Sequence, residues 1–363
     1  LAFINAILRS PTFPPFDPWL AGYAISYYYF GYIIVSMLIH LSGVPSSIGF
    51  NLGIAMWFAL TAMAAYGVLY NLLSGIFSGG YRLESGRKAA GWALLAPLFI
   101  LIVSNLAGLL DVLHARGIFW QRNQQGVLES DFWQWLGIQE FDQPPPEPLS
   151  WTPKRTYWLW WRGSRVLQDF NLVNQREEVI DEFPFFSYLL ADMHPHVLGM
   201  PFVLLATGLA LNFYFSARKQ PLPEPSLKVW LKNPHTWLSA LVFGGLSFLN
   251  TWDFPIYLAL YAGGYVLHRY LQDGWGWRRV GDFVFVAMTV GILGIFLYLP
   301  FYLGFSSQAG GFLPSLIFHT RGVHFWVMFA PLLLPILVWL ISQWRTFERS
   351  ALRWGALLGS GIV

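Results

Sequence analysis

The amino-acid sequence predicts an all-α polytopic membrane protein, and three observations carry that expectation. Only 11% of the 363 residues are charged, against about 25% in an ordinary soluble domain. Hydrophobic residues make up 55%, and apolar runs of the roughly 20 residues that cross a bilayer as a helix recur along the chain. The same composition excludes a soluble globule and a disordered tail. A net charge of +3 spread over many short loops excludes a basic nucleic-acid binder, so the expected surroundings are a lipid bilayer and no nucleic acid. With no cysteine in the chain, disulfides, thiolate zinc sites and cysteine nucleophiles are ruled out, and any metal has to sit on His, Asp or Glu.

Taken in order, spans are expected near 48–72, 89–110, 196–215, 281–303 and 325–344. Two shorter runs, 236–249 and 255–267, are separated by Asn250-Thr251-Trp252-Asp253-Phe254-Pro255 and read as two helices joined by a tight polar turn. Pro255 suits the first turn of the second, where its missing N–H costs nothing. Residues 23–42, with Tyr27-Tyr28-Tyr29-Phe30, read as a re-entrant or interfacial helix, because tyrosines favour the water–lipid boundary. Leu1 is not an initiator methionine, and Leu352 to Val363 read as the first half of an unfinished apolar helix. The expectation is therefore one transmembrane domain over 1–363, a fragment of a longer protein, with 111–195 as a loop insertion. No signal-peptide pattern opens the chain.

Lys and Arg in the short loops orient these spans. Arg82, Arg87 and Lys88, then Arg218, Lys219, Lys228 and Lys232, then Arg269, Arg278 and Arg279, and finally Arg345, Arg349 and Arg353 all fall on one side, which is expected to be cytoplasmic. The opposite, outer face then holds Asp17, the loop 111–195, the Asn250 to Pro255 turn and the loop 304–324. This reading describes a multi-pass protein of the plasma membrane. Within 111–195 a Pro-rich stretch, Gln143 to Pro148, favours extended geometry. Around it sit Trp133, Trp135, Trp151, Trp158, Trp160 and Trp161, read either as an interfacial belt or as a stacking surface for sugar or lipid.

The strongest local signal is Glu182-Phe183-Pro184-Phe185-Phe186-Ser187 followed by Asp192-Met193-His194-Pro195-His196. Pro195 fits the first position of the helix that follows and places His194 at the N-cap. If Asp192 to His196 is extended, Asp192, His194 and His196 project to one side and converge on a divalent metal ion or a phosphate. If it is helical, the two histidines diverge by about 200° and cannot readily share an ion. The helix start also attracts anions. The plain alternative is a capping Asp192, a satisfied interfacial His194 and a solvent-facing His196.

Other candidates carry similar pairs of readings. Asp253 is either a catalytic acid or a turn residue. Asp17, in Phe16-Asp17-Pro18-Trp19, is a catalytic acid or an ordinary Asp-Pro turn. Glu182 is a general base or, with Glu177, Glu178 and Asp181, part of a solvated acidic face. Arg162 and Arg321 are phosphate clamps or surface pairs, as is Arg165. No phosphate-binding GxxxxGK[ST] loop, HExxH zinc helix or GxSxG elbow is present, which argues against an ATP-driven pump, a zincin or a standard serine hydrolase.

These motifs, with Ala2-Phe3-Ile4-Asn5-Ala6-Ile7-Leu8-Arg9-Ser10, Asp17-Pro18-Trp19-Leu20-Ala21-Gly22 and Tyr27-Tyr28-Tyr29-Phe30-Gly31, resemble the YYY membrane protein family, a prokaryotic family built around a domain of unknown function. That family is in turn similar to the GT-C membrane glycosyltransferases. The resemblance implies a GT-C-like helical bundle with outer-face loops and interfacial helices, acting on a polyprenyl-phosphate-linked sugar donor. It carries over Asp17, Asp192, His194, His196 and Asp253 as site candidates. In this reading Glu182, Asp17 or an acid preceding the chain deprotonates the acceptor. His194, His196 and a divalent ion, with Trp252, Arg162 and Arg321, hold the donor, and Asp253 orients a histidine or the sugar. Two rival readings are a non-enzymatic subunit with membrane protein partners and a transporter with a broken helix at Asn250 to Pro255.

Overall fold

The computed structural model describes residues 1–77, 82–153, 159–216, 222, 224–306 and 315–343. In chain order its helices begin with α1 (Ala2–Arg9), α2 (Phe30–Ser42), α3 (Ser46–Phe77), α4 (Arg82–Ala93) and α5 (Leu95–Pro97), the last running into a π-helical turn over Leu98–Ile102. They continue with α6 (Ala107–Ala115), α7 (Asp131–Leu136), α8 (Leu159–Gly163), α9 (Pro184–Leu189) and α10 (Pro195–Ser216). The remainder are α11 (Leu227–Lys232), α12 (Pro234–Leu249), α13 (Asp253–Asp273), α14 (Arg278–Leu297), α15 (Leu299–Gly304) and α16 (Gly322–Gln343). Five short strands interleave: β1 (Gln121–Arg122), β2 (Leu128–Glu129), β3 (Gln168–Phe170), β4 (Arg176–Glu178) and β5 (His319–Thr320). The chain is an all-α polytopic membrane protein.

Four helices among the described residues are long and apolar enough to cross a bilayer: Ser46–Gly75, Pro195–Phe215, Arg278–Leu297 and Gly322–Gln343. The run expected at 89–110 is not one continuous helix. It is interrupted between Ile102 and Ala107, where the Asn105 side chain accepts a hydrogen bond from the Ala107 N–H at 3.0 Å and starts a new helix. The run expected at 281–303 likewise breaks at Tyr298, and Pro300 opens the short α15 that follows. At 13 residues, α2 is too short to span alone, and its tyrosines lie at and before its start. The apolar segment Leu352 to Val363 lies outside the described residues, as do Trp158, Lys154, Arg155, Arg218, Lys219, Arg345 and Arg349.

The chain divides into two compact units. The first comprises Leu1–Ile102 and Ser187–Gly311. Its helices approach closely at small residues, the device that brings helix backbones together where lipid supplies no hydrophobic drive. A Cβ placed on Gly294 of α14 would sit 3.1 Å from the Gly244 nitrogen and 3.2 Å from the Ala240 oxygen of α12. One on Gly264 of α13 would sit 2.7 Å from the Ala210 oxygen of α10. Between α3 and α10 the Trp57 indole N–H donates to the Leu198 carbonyl at 2.9 Å. Helix ends follow local chemistry: Asn233 caps α12 by accepting the His235 N–H at 3.0 Å, and Pro234 takes the position where no donor is needed.

The second unit comprises Val103–Phe186 and Phe312–Val363. Its core gathers Trp133, Leu136, Ile138, Phe141, Val166 and Val327. Trp133 is completely buried and donates its indole N–H to the Ile118 carbonyl at 2.8 Å, so it belongs to neither a membrane belt nor a stacking surface. Trp135 and Trp151, by contrast, are exposed. A small sheet in the order β4-β3-β5 flanks this core, with antiparallel pairing of Gln168 with Glu178 and of Phe170 with His319.

Within this unit the acidic run divides. Glu177 and Glu178 are exposed, but Asp181 is 7% exposed, with Oδ2 accepting from the Leu167 N–H at 3.4 Å and Oδ1 among the buried atoms without a partner. Burial pushes its carboxyl up to about 7, against the opposing pull of backbone donors and Arg165. A raised carboxylate pKa means that the folded state holds the proton more tightly than the unfolded state. This contribution to stability is full below the ordinary carboxylate range and is lost as pH rises toward 7. Thermal melts of Asp181→Asn are therefore expected to show less loss of stability than wild type between pH 5 and 7.5. For the first unit, Gly294→Leu is expected to cost about 1–3 kcal/mol by overpacking α12 against α14, measured as a lowered Tm in detergent.

Candidate functional site

In the first unit, the segment between α9 and α10 is held by a tight turn: the Asp192 N–H donates to the Ser187 carbonyl at 2.8 Å and the Ala191 N–H to Tyr188 at 3.1 Å. Ala191 pays for this with a left-handed φ of 54°. Met193, 4% exposed, is driven into the core, where its methyl group lies 3.1 Å from where a Cβ on Gly53 of α3 would be. With Met193 pointing in, the non-helical Asp192 and His194 alternate outward. Helix α10 begins at Pro195, and the Leu198 N–H donates to the His194 carbonyl at 3.0 Å, so His194 occupies the N-cap.

The side chains then converge. His194 Nδ1 hydrogen-bonds the Asp192 carboxylate. An ionised carboxylate only accepts, so Nδ1 carries a proton and donates it to Asp192. The His196 ring lies nearly parallel to that of His194, at 19° with centroids 6.2 Å apart, and its Nε2 pairs with Ser187 Oγ at 3.0 Å. A carboxylate oxygen of Asp192 and a ring nitrogen of His196 lie within 4.8 Å of each other. At the start of α13, Asp253 directs its carboxylate against the second turn of α10: Oδ2 is 3.3 Å from where a Cβ on Gly199 would be. The Asp253 N–H closes the polar turn by donating to the Asn250 carbonyl at 3.0 Å. Trp252 is exposed beside it.

Two residues that the motif reading did not single out also belong here. Ser187 holds His196, and the buried Tyr32 of α2 lies within electrostatic reach of Asp192. The Tyr32 ring packs at a tilt against Phe3, which in turn meets Trp19, two residues beyond Asp17. The only sequence signal for them was their place in the Phe-Phe-Ser and Tyr-Tyr-Tyr-Phe-Gly-Tyr runs.

Asp17 Oδ1 accepts from the Trp19 and Leu20 N–H groups at 2.8 and 2.9 Å, so the carboxylate serves its own turn. Glu182 lies in the second unit, exposed, two residues before α9. In that unit Arg162 is engaged by Glu140 at 2.9 Å and approaches Asp111 at 3.6 Å. Arg321 donates to the carbonyls of Trp135 and Leu136, where α7 ends. Both guanidiniums therefore already neutralise carboxylates or cap a helix, which removes much of the charge a phosphate clamp needs.

Chemically, the first-unit cluster offers an imidazole oriented by a carboxylate, the arrangement of a general acid–base pair, next to a helix start that favours anions. An oxygen from Asp192 and a nitrogen from His196 also suit a borderline divalent ion such as zinc or iron better than magnesium, which prefers oxygen alone.

A family model for an uncharacterized membrane protein, DUF2298, matches residues 1–362. The chain belongs to the DUF2298 family. No curated protein and no solved structure matches it significantly. Membership in DUF2298 agrees with an integral, multi-pass protein and with the membrane family expected from the motifs.

The close approach of Asp253 to Gly199 is testable by stability alone. Gly199→Leu is expected to lower Tm, by overpacking of about 1–3 kcal/mol, and the penalty is expected to shrink when Asp253→Ala is added. Equal penalties in the two backgrounds of this double-mutant cycle would show that the carboxylate does not meet α10.

Proposed function

We propose that this DUF2298 protein is a membrane glycosyltransferase that moves a sugar from a polyprenyl-phosphate donor to an acceptor at the outer face of the plasma membrane. The observation that carries the reading is the cluster of Asp192, His194 and His196 at the start of α10, with the Asp253 carboxylate against the next turn of the same helix at Gly199. Ionisable groups gathered at the end of a membrane-crossing helix are costly and usually mark a task. The resemblance to GT-C enzymes supports the choice of reaction, and the basic short loops support the outer placement.

In the proposed reaction the acceptor hydroxyl gives its proton to a carboxylate base and its oxygen forms a bond to the sugar's anomeric carbon. The bond from that carbon to the phosphate oxygen breaks, and the polyprenyl phosphate leaves with the electron pair. Negative charge grows on the departing phosphate, so donors placed there act more strongly in the transition state than in the ground state. His196 and a doubly protonated His194 supply those donors at the start of α10, Asp192 fixes the His194 ring, and Asp253 orients the sugar. Asp17 of the same unit is the candidate acceptor base, since its own turn uses Oδ1 alone. A divalent ion, if bound by Asp192 and His196, supplies further charge for the phosphate.

Full-length protein incubated with a panel of polyprenyl-phosphate sugars, with and without zinc, is expected to release polyprenyl phosphate. Asp192→Asn and His194→Ala are expected to slow that release about 100-fold or more. No transfer or hydrolysis with any donor would remove the enzyme reading. Since the chain has no cysteine, Leu190→Cys gives a unique thiol beside the site. A membrane-impermeant maleimide is expected to label it in intact cells, and labelling only after lysis would reverse the proposed sidedness.

A further inference from the structure

A cavity of about 250 Å³ lies wholly within the second unit and shares no residue with the His194 cluster; Gln139, Glu140, Trp161, Arg162, Arg165 and Glu178 line it. Two ion pairs form its walls. Arg162 Nε meets Glu140 Oε2 at 2.9 Å, and Arg165 Nε meets Glu178 Oε1 at 2.9 Å. The Arg165 guanidinium lies 3.6 Å from the centre of the Trp161 ring, where its Nη1 donates to the Trp161 carbonyl and to Ser164 Oγ. Glu140 adopts a left-handed φ of 72°, a conformation that non-glycine residues hold only when the surroundings require it and that collects at ligand clamps.

Charge and size restrict what fits. Two guanidiniums face two carboxylates, with Asp111 behind Arg162 at 3.6 Å as a third. A phosphate would meet carboxylate repulsion, and a metal ion or an ammonium group would meet the arginines. A neutral ligand rich in hydroxyls meets neither penalty, because each hydroxyl both donates to a glutamate and accepts from an arginine or the Gln139 amide. Its C–H face can pack on the indole–guanidinium stack. The volume falls below the roughly 300–1,000 Å³ typical of pockets for drug-sized ligands, which suits a single sugar ring.

We infer that this cavity is a binding subsite for a neutral pyranoside. The inference does not rest on the transfer reading, and its test needs neither a lipid donor nor turnover, so the two can fail separately. Full-length protein in nanodiscs is examined by saturation-transfer NMR with methyl mannopyranoside, methyl glucopyranoside, methyl galactopyranoside and N-acetylglucosamine, and by phosphorus NMR with inorganic phosphate. At least one pyranoside is expected to receive saturation, with Kd raised tenfold or more in Trp161→Ala and in Gln139→Ala, and phosphate is expected to stay unbound. Gln139→Ala leaves both ion pairs intact, so it decides the matter should Trp161→Ala fail to fold. Silence across the four sugars, an unchanged Kd in Gln139→Ala, or phosphate binding in place of sugar would overturn the assignment.

Discussion

The candidate site depends on the burial of one side chain, Met193. Its thioether is fixed in the core beside Gly53, and because residues in a non-helical segment alternate sides, Asp192 and His194 are directed away from that core together. Pro195 then starts α10 at once, which keeps His196 within a turn of His194 and sets the two rings nearly parallel. An apolar contact thus orients a polar cluster. A polar residue at 193 would relax that orientation even though it touches none of the chemistry.

A second constraint is close helix packing. In a bilayer the hydrophobic effect does not drive helices together, so association relies on van der Waals fit and small residues. Gly244 against Gly294 and Gly264 against Ala210 bring backbones near contact, and Gly199 leaves room for a carboxylate where a larger residue would not. The same steric economy serves the bundle in the first two cases and the candidate site in the third.

The second unit follows different rules. Its core is built on Trp133 and Phe141, its helix α7 is capped by Ser130 at one end and met by Arg321 and His324 at the other, and a buried Asp181 lies among its strands and loops. Arginine here is structural: Arg321 answers the carbonyls that a helix leaves open, and Arg162 balances two acids. The result is a fold in which charged side chains are largely spoken for, while the cavity beside Trp161 keeps a balanced set of donors and acceptors.

Much was legible in the sequence because membrane solvation acts on composition and length, which are one-dimensional properties. The apolar runs at 48–72, 196–215 and 325–344, the polar turn before Pro255 and the helix start at Pro195 could be read directly. Other features required three dimensions. Asp181 and its exposed neighbours look alike as letters, and Trp133 and Trp135 differ only in which way a short helix turns them. Spacing also left open whether Asp192, His194 and His196 would converge, since the answer hangs on where helix gives way to extended chain and on what Met193 finds to pack against. Side-chain direction is settled by contacts between residues distant in the chain, such as Asp253 with Gly199, and no local pattern encodes them.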